Sequence, residues 1–277
     1  MSARLSGCFA ALAGRNQAGL VAFLMAGDPD PVAAIACMDA AIAAGADLLE
    51  IGVPFTDPSA DGPSIQRAGE RALRHKAGLA TALAAAKAVR ARHPHTPIVL
   101  MGYANPIERL GPQRFAEALR EAGADGAIVV DLPPEEDAEL RAALDSAGLC
   151  LIRLAAPTTT PQRLHHIVSG ARGFLYYVAV AGVTGAQSAT AHAAATAVAE
   201  LRQATGLPIA LGFGVRSPEA AAAFARFADA VVVGSALVDV VGDGAAEAAP
   251  DRVRETVRKL AGAVHAARAP GEDGDGR

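Results

Sequence analysis

Glu50, Asp57 and Asp61 crowd into one short stretch of the chain. The apolar run Asp47-Leu-Leu-Glu50-Ile-Gly ends in a carboxylate where a strand should stop. A loop punctuated by Pro and Gly then carries Asp57 and Asp61 before a helix opens at Pro63. A carboxylate on a rigid strand tip, faced by others on a loop, suits proton transfer on a small molecule. Taken singly, each acid also fits a plainer role, as a polar side chain in the interior or as the N-cap of the following helix.

Glycines offer a second kind of chemistry. Gly182-Val-Thr-Gly185, Gly212-Phe-Gly214 and Gly234-Ser235 expose backbone N–H groups without side-chain obstruction. The Ser235 region can open a short helix, whose N-terminus favours an anion. One such loop would read as a tight turn; three at corresponding places point to a bound phosphate. No Gly-x4-Gly-Lys-Ser/Thr loop is present, so nucleotide hydrolysis has little support. A metal cage is not expected. His93 and His95 flank a proline, and the adjacent His165 and His166 point to different sides of a helix. Asp28, the pair Asp57 and Asp61, and Asp131 lie on separate Pro-bounded loops.

The elements that must position these groups follow one repeated phrase: an Ala-rich helix, a small-residue stop, then a short apolar run. Clear copies are Ala44-Gly-Ala-Asp47 and Ala122-Gly-Ala-Asp125; looser ones are Ser169-Gly-Ala-Arg-Gly173 and Phe227-Ala-Asp229. Gly after a helix supplies the left-handed C′ position. Runs without polar alternation suit parallel strands covered on both faces. Eight are predicted, near 20–25, 47–52, 97–101, 126–130, 149–154, 173–178, 207–211 and 230–233. Helices are predicted over 31–44, 63–74 with 78–92, 112–122, 135–147, 161–169, 191–204, 217–227 and 251–268, with an extra one at 2–13. Pro112, Pro134, Pro161 and Pro218 stand at the expected helix starts, where a missing N–H is harmless. The arithmetic favours a single (β/α)8 TIM barrel with an extra N-terminal helix over a doubly wound sheet, which usually needs fewer strands. In such a barrel Glu50, Asp131, Tyr176 and the glycine loops all fall at the carboxyl ends of strands, where reactive groups lie.

At 277 residues and 52% hydrophobic content the chain can fill one large domain, expected over 1–268, with 269–277 as a frayed tail. Aromatics are only 4% and Trp is absent, so close packing through Ala and Gly must fill the core. A net charge of −4 without a basic stripe excludes a nucleic-acid binder. The arginines at 90 and 92 sit at a predicted helix end, where cations favour the macrodipole. Three cysteines without a CxxC pair read as reduced thiols of a cytoplasmic protein. No apolar run approaches a membrane span of about 20 residues, and the start lacks a signal-peptide profile.

The run Glu50-Ile-Gly-Val-Pro-Phe-Thr-Asp57-Pro-Ser-Ala-Asp61-Gly-Pro-Ser-Ile-Gln resembles the signature of the tryptophan synthase alpha subunit family. The resemblance extends to about residue 268. It includes Gly27-Asp28-Pro29, Tyr103-Ala-Asn105-Pro106, Asp131-Leu-Pro-Pro-Glu135, Tyr176-Tyr177-Val178, Gly182-Val-Thr-Gly185, Gly212-Phe-Gly-Val-Arg-Ser-Pro218 and Val233-Gly-Ser235. It implies retro-aldol cleavage of indole-3-glycerol phosphate to indole and glyceraldehyde 3-phosphate. Indole would pass to a beta subunit that uses pyridoxal phosphate, in an alpha2beta2 heterotetramer, and this chain would carry no cofactor of its own.

By the same resemblance Glu50 is the principal acid/base, Asp61 the second catalytic carboxylate, and Tyr176 lines the site. Phe23, Met101, Ile128 and Phe213 would form the indole pocket. Thr184, Gly185, Gly214, Gly234 and Ser235 would surround the phosphate, and Asp57 would couple the loop to the beta subunit. The residue types suit the reaction: a desolvated Glu50 gains a pKa nearer working pH, and an ionised Asp61 can stabilise a cationic indole intermediate. Ser59, Ala179 and Ala181 depart from the family pattern, in the loops expected to close over substrate. A stand-alone lyase releasing free indole and a non-catalytic activator of the beta subunit are the alternatives. The related indole-3-glycerol phosphate synthase would need lysines at strand ends, and no predicted strand end carries one.

Overall fold

All seven residues of the first apolar run are buried, because a parallel strand covered on both faces has no solvent side. The computed structural model describes residues 2–178, 187–212 and 214–268. Its strands are β1 (Gly19–Met25), β2 (Leu48–Gly52), β3 (Ile98–Gly102), β4 (Gly126–Val129), β5 (Cys150–Ala155), β6 (Leu175–Val178), β7 (Ile209–Gly212) and β8 (Ala230–Val233). They pair in chain order and β8 closes on β1, giving a closed parallel barrel. Outside it lie α2 (Pro31–Ala43), α3 (Pro63–Arg74), α4 (Leu79–Arg92), α5 (Ala104–Leu110), α6 (Pro112–Glu121) and α7 (Ala138–Ser146). The ring continues with α8 (Pro161–Val168), α9 (Gln187–Thr205), α10 (Pro218–Ala225), α11 (Ser235–Gly242) and α12 (Ala249–Ala266), and α1 (Ala3–Gly14) precedes β1. The expected (β/α)8 barrel with its extra N-terminal helix is what forms.

Two expectations need correction. Residues 104–110, outside every predicted helix, form the helix α5, which tolerates Pro106 because the first turn of a helix needs no N–H from it. The helix expected from 135 begins only at Ala138. Pro134 therefore lies in a turn, spanned by Glu136 N donating to Pro133 O at 3.0 Å, and not at a helix start.

Inside the barrel, Val21, Leu48, Val99, Ile128, Ile152, Phe174, Ala210 and Val232 form one cluster, and Leu5 and Phe9 of α1 join it. The Phe9 and Phe174 rings meet at 5.6 Å, so α1 plugs the amino-terminal end of the barrel.

The Asp that closes each Ala-Asp phrase is a structural device at that same end. Asp47, Asp125 and Asp229 stand just before β2, β4 and β8. Each carboxylate accepts the N–H of Leu20, Ile98 or Ile209 at 2.8 Å on the preceding strand, and each backbone N–H donates back to that residue's carbonyl. A cation completes every one: His265 on Asp47, Arg4 and Arg90 on Asp125, Arg202 on Asp229. Arg90, expected only to favour a helix end, also donates to Gly123 O and His93 O and so ties α4 to the phrase before β4.

Candidate active site

Glu50 is the third residue of β2, paired in register with Phe23 on β1 and Val99 on β3. Strand alternation that turns Leu49 and Ile51 toward the helices turns Glu50 into the barrel. It is 1% exposed, and among the described residues neither carboxylate oxygen has a hydrogen-bond partner. A buried ionised carboxylate without partners costs several kcal/mol, so the group holds its proton instead. Burial, reinforced by the negative charge of Asp61, pushes the Glu50 pKa up to about 8.

Asp61 approaches from the loop between β2 and α3. Its backbone N–H donates to Pro58 O at 3.2 Å, and the Gln66 amide of α3 holds its carbonyl at 2.9 Å. Burial raises its carboxyl to about 6, opposed by a hydrogen bond from the Tyr103 hydroxyl. Tyr103 follows β3, is 4% exposed, accepts Ala60 N–H at 3.0 Å and stacks on Phe55 at 5.0 Å. It thus supports the acidic loop at three points. The sequence singles out Tyr103 only within the motif Tyr103-Ala-Asn105-Pro106, and nothing in that motif marks its hydroxyl as the partner of Asp61.

Tyr176 points inward from β6 and feels the charge of Glu50, which together with burial raises its phenol. Two strand-end glycines make room for aromatic rings. A Cβ on Gly52 would sit 2.5 Å from the Phe23 ring, and one on Gly212 would sit 2.7 Å from the Tyr176 ring. Phe23 packs with Met25, Met101 and Ile65, and Met101 stands in register with Gly52 and Ile128. Phe23, Met101 and Ile128 therefore line one apolar side of the mouth around Glu50. Phe213, Thr184 and Gly185 lie outside the described residues, as do Ala179 and Ala181.

Beside Phe23, Gly234 follows β8 and caps α11, which Ser235 opens; Leu237 N and Val238 N already bond Gly234 O. The first N–H groups of a helix have no acceptor within it and favour an anion. Gly214 has φ +62°, a left-handed turn with open space where a Cβ would stand. These three residues form the edge expected to hold a phosphate.

The other strand-tip acids are occupied. Asp28 is buried and takes two bonds from Arg71, at 2.6 and 2.8 Å. Asp131 accepts Ala104 N–H at 2.8 Å and so starts α5. Asp57 is exposed, and among the described residues its carboxylate accepts the adjacent Thr56 hydroxyl at 2.6 Å and no cation. A cavity of about 710 Å³ opens at the ends of β4 and β5, but Glu50 and Asp61 are absent from its lining, and its Asp137 is paired with Arg153. Among the described acids at this end, Glu50 and Asp61 are the two whose pKa burial raises with no cation beside them.

Other chemistries find little here. Among the described residues no group of three or more His, Cys, Asp or Glu side chains could hold a metal ion. Burial pushes the Cys8 and Cys37 thiols up to about 12, far from nucleophilic use at neutral pH. All three lysines, Lys76, Lys87 and Lys259, are exposed, so none is placed for a Schiff base inside the mouth. What remains is one protonated and one ionised carboxyl facing an apolar pocket beside an anion-favouring edge. That pair can exchange protons with a neutral ring and stabilise a cation formed on it.

A profile of the family described as tryptophan synthase alpha chain matches residues 9–267. The tryptophan synthase alpha chain of Novosphingobium aromaticivorans is 52% identical over 265 residues, covering 96% of this chain and 98% of the relative. That of Caulobacter vibrioides is 49% identical over 267 residues, covering 96% and 97%. Among solved structures, tryptophan synthase subunit alpha from Legionella pneumophila superposes with a TM-score of 0.87 at 36% identity, covering 95% of this chain and 98% of that one. A Mycobacterium tuberculosis tryptophan synthase structure gives 0.87 at 38% identity, covering 96% and 99%.

Proposed function

The chain belongs to the tryptophan synthase alpha chain family, and we propose that Glu50 and Asp61 divide the acid–base work of its reaction. That reaction is cleavage of indole-3-glycerol phosphate to indole and glyceraldehyde 3-phosphate, the alpha-subunit step of tryptophan synthesis. Glu50, protonated at neutral pH, gives its proton to indole C3, and the ring nitrogen becomes cationic. Asp61, ionised at the same pH, accepts the ring N–H and stabilises that charge. The Glu50 carboxylate then takes the proton of the side-chain hydroxyl as the carbon–carbon bond breaks. The bonding pair returns to the ring, indole and an aldehyde separate, and Glu50 ends the cycle protonated as it began.

The single observation that carries this assignment is the burial of Glu50 inside the barrel with Asp61 near it on the loop, an environment that raises both carboxyls, Glu50 to about 8 and Asp61 to about 6, on either side of neutral pH. Environments that push paired carboxyls apart mark the acid and the base. Tyr176 lines the reacting side, Phe23, Met101, Ile128 and Phe213 hold the indole, and Thr184, Gly185, Gly214, Gly234 and Ser235 receive the phosphate. Residues 1–268 act as one catalytic domain, a reading supported by closure of the barrel.

The family name implies a beta-subunit partner. We read the assembly as alpha2beta2, with pyridoxal phosphate in the beta subunit and none in this chain. No helix among the described residues is long and apolar enough to cross a membrane, in keeping with a cytoplasmic enzyme. Asp57, exposed and four residues before Asp61, is the group a beta-subunit cation would pair with. Asp57→Ala should therefore blunt activation by beta while leaving the isolated chain's indole release nearly unchanged.

The test of the assignment is the pH profile of kcat/KM for indole release. It should be bell-shaped, falling below about pH 6 and above about pH 8, since it reports groups of the free enzyme. A profile flat across that range would remove the two carboxyls from the acid–base role.

A further inference from the structure

Where α3 meets α11, four side chains close a hydrogen-bonded clasp beside the proposed site. The buried Ser64 hydroxyl donates to Asp239 Oδ2 at 3.0 Å. It accepts from Arg67 at 3.0 Å and from Arg216 at 3.3 Å. Asp239 in turn accepts Arg67 at 3.1 Å and Arg216 at 2.9 Å. The hydroxyl's one proton and both of its lone pairs are used, so the arrangement fixes all four partners at once.

Each member stands close to a group the reaction needs. Ser64 is separated from Asp61 only by Gly62 and the φ-restricted Pro63, and Gln66 of the same first turn holds Asp61 O at 2.9 Å. Asp239 lies one turn inside α11, on the face of Ser235 at its N-terminus. Arg216 follows the left-handed Gly214 by two residues. One turn further along α3, Arg71 bonds Val238 O at 3.0 Å and Asp28, so α3 and α11 are bolted together at two levels. Asp239 and its arginines are themselves partly exposed, with side-chain accessibilities of 31%, 56% and 60%. A clasp of this exposure adds little stability and is better suited to holding geometry.

We propose that Asp239 is a positioning residue for the cleavage reaction: through Ser64 and Arg216 it ties the Asp61 loop to the phosphate-facing edge formed by Gly214, Gly234 and Ser235. The inference rests on the assignment of Asp61 and of that edge given above. A phosphate seated on α11 then sets the distance at which Asp61 meets the indole ring. Binding energy at the phosphate is thereby spent on orientation at the reacting end of the substrate.

The experiment is a double-mutant cycle in the full chain, with Asp239→Asn, Asp61→Asn and the pair. Indole release is measured under saturation, and glycerol 3-phosphate affinity by calorimetry. Asp239→Asn should lower kcat by roughly tenfold or more, the scale set by sub-ångström misplacement, while glycerol 3-phosphate affinity moves less than about threefold. In the Asp61→Asn background the same change should lower residual turnover by less than about twofold, because coupled residues are not additive. Asp239→Glu should restore part of kcat, and Ser64→Ala, a smaller disturbance, should reproduce the non-additivity. An unchanged kcat, or an equal loss with and without Asp61, would overturn the positioning role while the wild type remains active. A wild type that releases no indole would overturn the function itself and the inference with it.

Discussion

Asp47, Asp125 and Asp229 at one end of this barrel and Glu50 and Asp61 at the other are carboxylates in opposite situations. At the amino-terminal end Asp47, Asp125 and Asp229 each receive a strand N–H and a cation. At the carboxyl-terminal end Glu50 has no partner on either oxygen among the described residues, and Asp61 has a tyrosine hydroxyl. Hydrogen bonds to charged groups contribute about 1.5–3 kcal/mol each, so the first arrangement stabilises the fold. Leaving a buried carboxyl without partners costs stability, and it persists where a proton must be held loosely enough to move. One residue class thus staples the strands at one end and leaves two titratable groups unspent at the other.

The sharpest way to break this contrast is to disable one acid at each end. Glu50→Gln should lower indole release by roughly 10³-fold, within the range of general acid–base catalysis, with folding intact. Its stability relative to wild type should even rise with pH. Glu50's folded pKa is raised, so its contribution is fully present below its ordinary value of 4.5 and is lost as pH climbs through about 8. Thermal unfolding of both proteins at about pH 6 and about pH 9 checks this. Asp125→Ala should do the reverse. It strands Arg90, Arg4 and the Ile98 N–H, costing about 3–5 kcal/mol, while kcat of the folded fraction stays near wild type. Denaturant melts and active-site-normalised turnover separate the two outcomes. Asp125→Ala proving neutral would dissolve the contrast.

A smaller effect sharpens the upper end. Asp61→Asn keeps shape and loses charge, so turnover should fall about 10²-fold, with calorimetric affinity for glycerol 3-phosphate preserved. Smallest of all is the pH response at the lower end. The Asp47 hydrogen bond and charge outweigh burial and raise the His265 pKa. A raised folded pKa means the stabilisation is full below the unfolded value near 6.5 and fades as pH rises through the folded one. His265→Ala should therefore cost about 1 kcal/mol or less at about pH 5.5, and less still in alkaline solution.

Much of this architecture was legible in the chain. The Ala-Asp phrase marked strand starts, because a helix stop followed by a fully apolar run has few other solutions. The approach of Asp61 to Glu50 was legible in their spacing, a carboxylate ending an apolar run and another in the Pro/Gly loop that follows, although each acid singly also fits a plainer role. The purpose of Asp47, Asp125 and Asp229 was not, although their repetition was visible. Each accepts from a residue 20 to 27 positions earlier in the chain, a relation that only the parallel pairing of consecutive strands creates. Tyr103 escaped for the same reason, since its hydroxyl meets a loop 43 residues away. The helix α5 and the turn at Pro134 were misjudged because proline is as acceptable in a first helical turn as in a loop, and local sequence does not separate the two.

The central claim is that Glu50 rests protonated and unpartnered at neutral pH. Infrared difference spectroscopy of wild type against Glu50→Gln, titrated from about pH 5 to about pH 9, reads that proton directly. The expected result is a protonated-carboxyl stretch present at neutral pH that disappears with a midpoint near 8. Loss of that band with a midpoint near the ordinary glutamate value of 4.5 would contradict it.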